Sequence, residues 1–223
     1  EREMRERFAD RRFGYQVISF LDYSQNPYRA ESDSIIRKWN LGVTENDRGE
    51  YRKGKLVDPA HPVVFYIDTC CPAEFVPYIK EGVLAWNAAF EKAGFKNALR
   101  VKMADSKTVL EEQRAVIAYD LHEAGIRTGY TFHPKTGEIL SCRVNIGHGF
   151  LPKELWRYVL ECGTVDDRIR KEFFHPDVVG EILRSKVIRA VGSVLGLKEN
   201  LAGSAAYTAE QVKSVAWLKQ HGY

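Results

Sequence analysis

The segment whose reading decides the fold is Ile188-Arg189-Ala190-Val191-Gly192-Ser193-Val194-Leu195-Gly196-Leu197-Lys198-Glu199-Asn200. Ile182, Leu183, Val187, Val191, Val194 and Leu195 recur at steps of three and four, which puts them on one side of a helix. Gly196 is a left-handed stop, and Lys198-Glu199-Asn200 is a polar turn. The spacing predicts a long helix from about Asp177 to Leu195, with Lys186 and Val187 within its buried half.

Outward from this helix, Pro152 to about Glu161 is a second helix with Leu155, Tyr158 and Val159 inward, and 208–220 is a closing helix. Before them, Tyr130-Thr131-Phe132, the turn His133–Glu138 and the strand Ile139–Ile146 form a hairpin at a sheet edge. Val63-Val64-Phe65-Tyr66-Ile67 is a short continuous apolar run of the kind that makes a strand buried on both faces. A helix from Ala73 to Ala93 follows, with Phe75, Ile79, Val83, Trp86 and Phe90 on one face as core and Gly94 as its stop. Leu99–Met103 and Ala115–Tyr119 are further strands. Strand, helix, strand, strand predicts an α/β layer with parallel pairing.

Nearer the N-terminus, Gly14–Leu21 is a strand, Ser34–Trp39 a short ordered segment and 44–61 a loop or hairpin. Residues 1–12, rich in Arg and Glu, are a solvated helix or frayed start. The division expected is an N-terminal extension over 1–60, with strands packing on the core, and a main domain over 61–223; one continuous domain is the other reading.

The chain has 223 residues, 44% hydrophobic and 28% charged, enough for one good core. A net charge of +3, with both signs mixed, argues against a nucleic-acid partner. No apolar run approaches the roughly 18 residues of a membrane span. The chain begins at Glu1 and is read as a portion of a longer protein, so a missing signal peptide says little about compartment. Cys70, Cys71, Cys142 and Cys162 contain no CxxC pair. They leave two states open: a Cys142–Cys162 disulfide in an exported protein, or four thiols.

In zinc proteases with the motif HExxHxxGxxH, two His one turn apart on a helix bind zinc and the Glu activates its water. The Gly lets the chain turn back to supply a third His. On this sequence the motif starts at Arg189, where the first His belongs. Ala190 stands for the Glu, Ser193 for the second His, Gly196 for the Gly and Glu199 for the third His.

Other pieces recur around it: Pro62–Asp68 (PVVFYID), Gly82–Asn97 (GVLAWNAAFEKAGFKN), Pro134–Leu140 (PKTGEIL), Val191–Asn200 (VGSVLGLKEN) and Ala202–Tyr207 (AGSAAY). With these, Gly14 to Tyr207 resembles a family of large, secreted bacterial zinc-dependent metallopeptidase-like proteins with a metzincin-type catalytic domain. The resemblance implies an α/β (α+β) zincin fold: a twisted mixed sheet with an antiparallel edge strand over the cleft, a backing helix, and the active-site helix beneath. It implies that Gly137–Ile146 is that edge strand, with Gly137, Ile139, Leu140, Ser141 and Cys142 lining the cleft and Gly196 as structural turn. The family's Met-containing turn has no counterpart, since the only methionines are Met4 and Met103.

Zinc binding needs several ligands together, structural zinc sites being worth about 10–16 kcal/mol. None of the three motif histidines is present, Arg189 brings a permanent positive charge, and Ala190 cannot take a proton. An ion pair between Arg189 and Glu199 is expected to fill the vacated position. His61, His122, His133, His148, His175 and His221 have no ligand spacing, and there is no GxSxG elbow.

The leading expectation is a catalytically inactive metalloprotease-like domain, not an enzyme, with no metal or cofactor of its own. It would bind a peptide or protein in the former substrate cleft. The alternatives are an active zinc metallopeptidase whose ligands come from elsewhere, and a purely structural domain of a larger exported protein. The resemblance alone implies an extracytoplasmic location.

Overall fold

The computed structural model describes residues 4–24, 26, 28–105, 115–164 and 166–221. Glu1 to Glu3, within the expected N-terminal helix, lie outside them. Residues 4–12 form no helix; Arg7–Ala9 runs extended beside the second strand, with Ile36 N–H donating to Arg7 O at 2.9 Å and Ala9 N–H to Ser34 O at 2.7 Å.

The N-terminal part is an antiparallel pair, β1 (Val17–Asp22) and β2 (Glu31–Ile36), followed by a one-turn helix α1 (Arg48–Arg52) within the expected loop. Then come β3 (Val63–Ile67), α2 (Val76–Leu84), α3 (Asn87–Lys92), β4 (Leu99–Met103), β5 (Ala115–Asp120), β6 (Ile126–Phe132) and β7 (Ile139–Gly147). The chain continues through α4 (Phe150–Cys162), α5 (Asp167–Lys171), α6 (Pro176–Val194), a 3-10 helix (Leu201–Ala206), α7 (Ala209–Lys213) and α8 (Val215–His221). Among the described residues no helix is long and apolar enough to cross a membrane.

The main sheet has the order β4-β3-β5-β7-β6, with β6 antiparallel to β7 and the other pairs parallel. This is the mixed sheet with an antiparallel edge expected of a zincin fold, but the edge is β6. The strand expected there, β7, lies inside the sheet between β5 and β6. The reason is composition: Ile139, Cys142, Val144 and Ile146 of β7 are buried, whereas the polar β6 sequence IRTGYTF keeps most of its residues exposed. An interior strand meets apolar partners on both sides and a polar one is tolerated only at the rim.

The single helix expected over 73–93 is two helices. At the break, Trp86 Nε1 donates to Ile188 O at 2.9 Å, and Asn87 grips the backbone of Leu99 through both amide atoms, at 2.8 and 3.1 Å. The two side chains pin the chain to α6 and to β4 at the point where the helix turns. The closing helix is likewise divided, at Ser214.

The core lies between the sheet and α2 with α6. It contains Phe65, Ile67, Ile79, Val83, Leu99, Val144, Leu183, Val187 and Val194, with Trp86 and Phe90 packed at its border. Small residues let α6 approach α2 and the Trp86 segment closely. A Cβ on Gly82 would stand 2.8 Å from Val187 Cγ1, and one on Gly192 would stand 2.5 Å from the Trp86 ring. The four cysteines are free; burial pushes the Cys142 thiol up to about 12, and burial with Asp68 nearby pushes Cys71 up to about 11.

Candidate functional site: a cleft over the C-terminal half of α6

Helix α6 ends as its sequence predicts. Gly196 has φ +93°, Leu197 N–H donates to Gly192 O at 3.1 Å, and Gly196 N–H donates to Ser193 O at 3.1 Å. This is a Schellman closure, which satisfies carbonyls that a helix end otherwise leaves open.

An N-terminal strap, residues 14–16 and 36–39, completes the end of the helix. Trp39 Nε1 donates to Val194 O at 3.0 Å, and Gln16 Nε2 donates to Ser193 O at 3.1 Å and to Leu197 O at 3.3 Å. Tyr15 and Leu197 form an antiparallel bridge, flanked by Gln16 N–H to Gly196 O and Lys198 N–H to Gly14 O, both 2.7 Å. The Arg37 carbonyl passes so close to Gly196 that a Cβ would overlap it. On the other side, Lys38 N–H donates to Gly137 O at 3.0 Å and Ile139 N–H to Lys38 O at 2.9 Å. Gly137, at φ +71°, has no room for a Cβ against the Ile36 carbonyl. Both glycines are thus fixed by close backbone contact with the N-terminal strap as well as by their own turns.

Above the helix lies a cleft of about 1230 Å³. Its floor is Lys186, Arg189, Ala190 and Ser193 of α6. One wall is Ile126 and Thr128 of β6 with Phe150 and Lys153 of α4. The other is Arg12–Val17 with Leu197–Asn200. The outer edge of β6 has no strand beside it among the described residues, and its Ile126 and Thr128 line this cleft.

Arg189, Ala190, Ser193 and Glu199 all line the cleft. The Arg189–Glu199 ion pair is formed, with 69% and 64% of the two side chains exposed; water screens it, so it spans the floor without plugging it. Ala190 is buried against the core. Ser193 Oγ accepts from Gln16 Nε2 at 3.3 Å and lies 3.5 Å from Thr128 Oγ1 on the edge strand. This donor set does not fit zinc: it offers one guanidinium, one hydroxyl held by an amide and one carboxylate held by the guanidinium. Among the described residues no three His, Cys, Asp or Glu side chains come together in a metal-binding group.

The positions expected to line the cleft on the other arm of the hairpin do not. Gly137, Ile139, Ser141 and Cys142 are buried, Ser141 Oγ pairs with Thr131 Oγ1 at 2.7 Å, and Leu140 is exposed away from the cleft. Ile139, Ser141 and Cys142 are covered because β7 is an interior strand, paired with β5 on one side and β6 on the other.

Sequence reasoning missed the cluster that ties the strap to the edge strand. Arg37 donates to the Tyr130 hydroxyl, which donates to Gln16 Oε1, and the guanidinium lies 5.1 and 4.4 Å from the Tyr130 and Phe132 ring centres. These residues are 93 and 114 positions apart in the two hydrogen bonds, so no local pattern announces them. The histidines stand apart: His148 Nδ1 meets Tyr119 OH at 2.7 Å, and the buried Nδ1 atoms of His133 and His175 have no partner among the described residues.

The profile of a family described as Met-zincin matches residues 171–223, the segment that contains α6 and the turn after it. A profile described as Domain of unknown function (DUF5117) matches residues 1–44, the strap and the β1–β2 pair. The first match supports a metzincin-like family, in agreement with the fold. Neither the curated proteins nor the solved structures contain a match.

Proposed function

We propose that this is a metzincin-like domain that does not hydrolyse peptides and binds an extended peptide or protein segment in the cleft over α6. The observation that carries the reading is the coincidence of two features in one place. A free antiparallel edge strand runs along an open cleft, and the floor beneath it carries Arg189, Ala190, Ser193 and Glu199 where the motif has ligands and base. An edge strand offers main-chain donors and acceptors to any extended segment, which is the strand-addition mode of recognition. The motif positions in the floor offer no ligand set for a metal Lewis acid, and Ala190 stands where the base that would activate water belongs.

Metal analysis of the purified protein, with a peptide-hydrolysis assay in added zinc, tests the negative half. We expect no stoichiometric zinc and no cleavage; bound zinc together with cleavage would sink the proposal. A peptide-array screen tests the positive half, and blocking the backbone N–H groups of a captured peptide by N-methylation should abolish its binding. An array with no binders would favour a purely structural domain. Placing Arg189→His, Ala190→Glu, Ser193→His and Glu199→His together should create zinc affinity. A folded variant without it would argue against the registration of the motif on α6.

A further inference from the structure

The lining of the cleft is unbalanced in charge. Arg12, Arg37, Lys153, Lys186, Arg189 and Lys198 face it against only Glu154 and Glu199. That excess is larger than the +3 of the whole chain. Both acids are already engaged, Glu154 with Lys186 at 2.6 Å and Glu199 with Arg189, and Arg12 is held by Asp10 at 2.6 Å. Three cations have no carboxylate among the described residues: Arg37 at the end of β2, Lys153 on α4 and Lys198 in the turn after Gly196. They come from three separate segments and converge on one concave surface.

The three differ in role. Lys153 and Lys198 are exposed, both line the cleft, and both can reach a bound chain. Arg37 lies over Tyr130 and Phe132, and its Nε is buried without an acceptor among the described residues, so it acts as a fixed positive charge in the lining. Like charges along a cleft with low-dielectric walls reinforce one another and raise the local concentration of an opposite charge. On the reading of the cleft as a peptide groove, on which this step rests, we propose that its occupant is an acidic extended peptide. The peptide runs beside β6 and places carboxylates on Lys153 and Lys198. A peptide is favoured over a nucleic acid because the edge of β6 supplies backbone partners that only a polypeptide can use.

Fluorescence anisotropy with three labelled peptides of equal length tests the proposal: alternating Glu–Val, Thr–Val and Lys–Val. The acidic peptide should bind at least about tenfold tighter than the neutral one, with the advantage shrinking as salt is raised. The lysine peptide should bind weakest. Lys153→Glu with Lys198→Glu should abolish the acidic preference, and Lys153→Gln with Lys198→Gln should reduce it. Equal affinity for acidic and neutral peptides would overturn the charge assignment while leaving the peptide groove standing. Binding of none of the three would overturn the groove, and this proposal with it. Tighter binding of a single-stranded oligothymidine than of the acidic peptide would overturn the choice of partner.

Discussion

The two ends of α6 treat charge in opposite ways. At the N-terminal end, Arg168 of α5 grips Asp166 at 2.8 Å and reaches Glu181 of α6 at 2.9 Å, while Tyr158 of α4 donates to the same Asp166 at 2.8 Å. Asp166 also caps α5 by accepting from Arg168 N–H at 3.0 Å. Each charge in that cluster is answered within the chain. The Arg168 hydrogen bonds hold the Asp166 carboxyl well below the usual carboxylate range, and burial, with Asp166 beside it, pushes the Tyr158 phenol up to about 12. At the C-terminal end the Arg189–Glu199 pair is exposed, and Lys153 and Lys198 have no acid among the described residues. A charge cluster that holds a fold closes on itself. One that faces a cleft unanswered is available to something outside the chain.

The comparison can be broken most severely at the hinge of the C-terminal end. Gly196→Ala should lower stability by at least about 2 kcal/mol, because it forces a Cβ into a left-handed position and against the Arg37 carbonyl. Urea denaturation measures this, and a loss below half that value would show that the strap can shift away.

At the opposite end, Asp166→Asn should cost about 2 kcal/mol, the loss of charge-assisted hydrogen bonds and part of a cap. The sign of its pH dependence is fixed. A carboxyl with a depressed folded pKa contributes fully above its unfolded value near 3.9, and the contribution disappears as pH falls through the folded value. The difference in stability between wild type and Asp166→Asn should therefore narrow in strong acid and stay constant from neutral pH down to about pH 5. A difference that grew on acidification would contradict the cluster.

The smallest effect is expected where the cations are unanswered. Lys153→Gln with Lys198→Gln should change stability by less than about 0.5 kcal/mol, or raise it slightly by relieving repulsion. A large loss would mean that these lysines serve the fold and not a ligand.

Much of the architecture was legible because it rests on local periodicity. The apolar run of β3, the three-and-four spacing along α6 and the glycine after it each encode an element and its end. The hairpin of β6 and β7 was legible too, but not which arm forms the edge. That depends on which strand finds a second neighbour, and β7 finds it in β5, joined only through the folded sheet. The helix over 73–93 divides because Trp86 and Asn87 find partners 102 and 12 residues away, a contact its own spacing does not express.

The site divides the same way. By itself the sequence determined what α6 does not supply: Arg189, Ala190, Ser193 and Glu199 cannot make a three-histidine zinc centre, whatever their surroundings, because ligand chemistry belongs to the side chain. It also fixed the turn at Gly196, because a left-handed residue is a local property. Only the tertiary structure decided that the turn is clasped by Gln16, Arg37 and Trp39, and that β6 borders the cleft. It alone brought Arg37, Lys153 and Lys198 together. Those facts are sums over segments distant in sequence, and a chain records such distances only once it is folded.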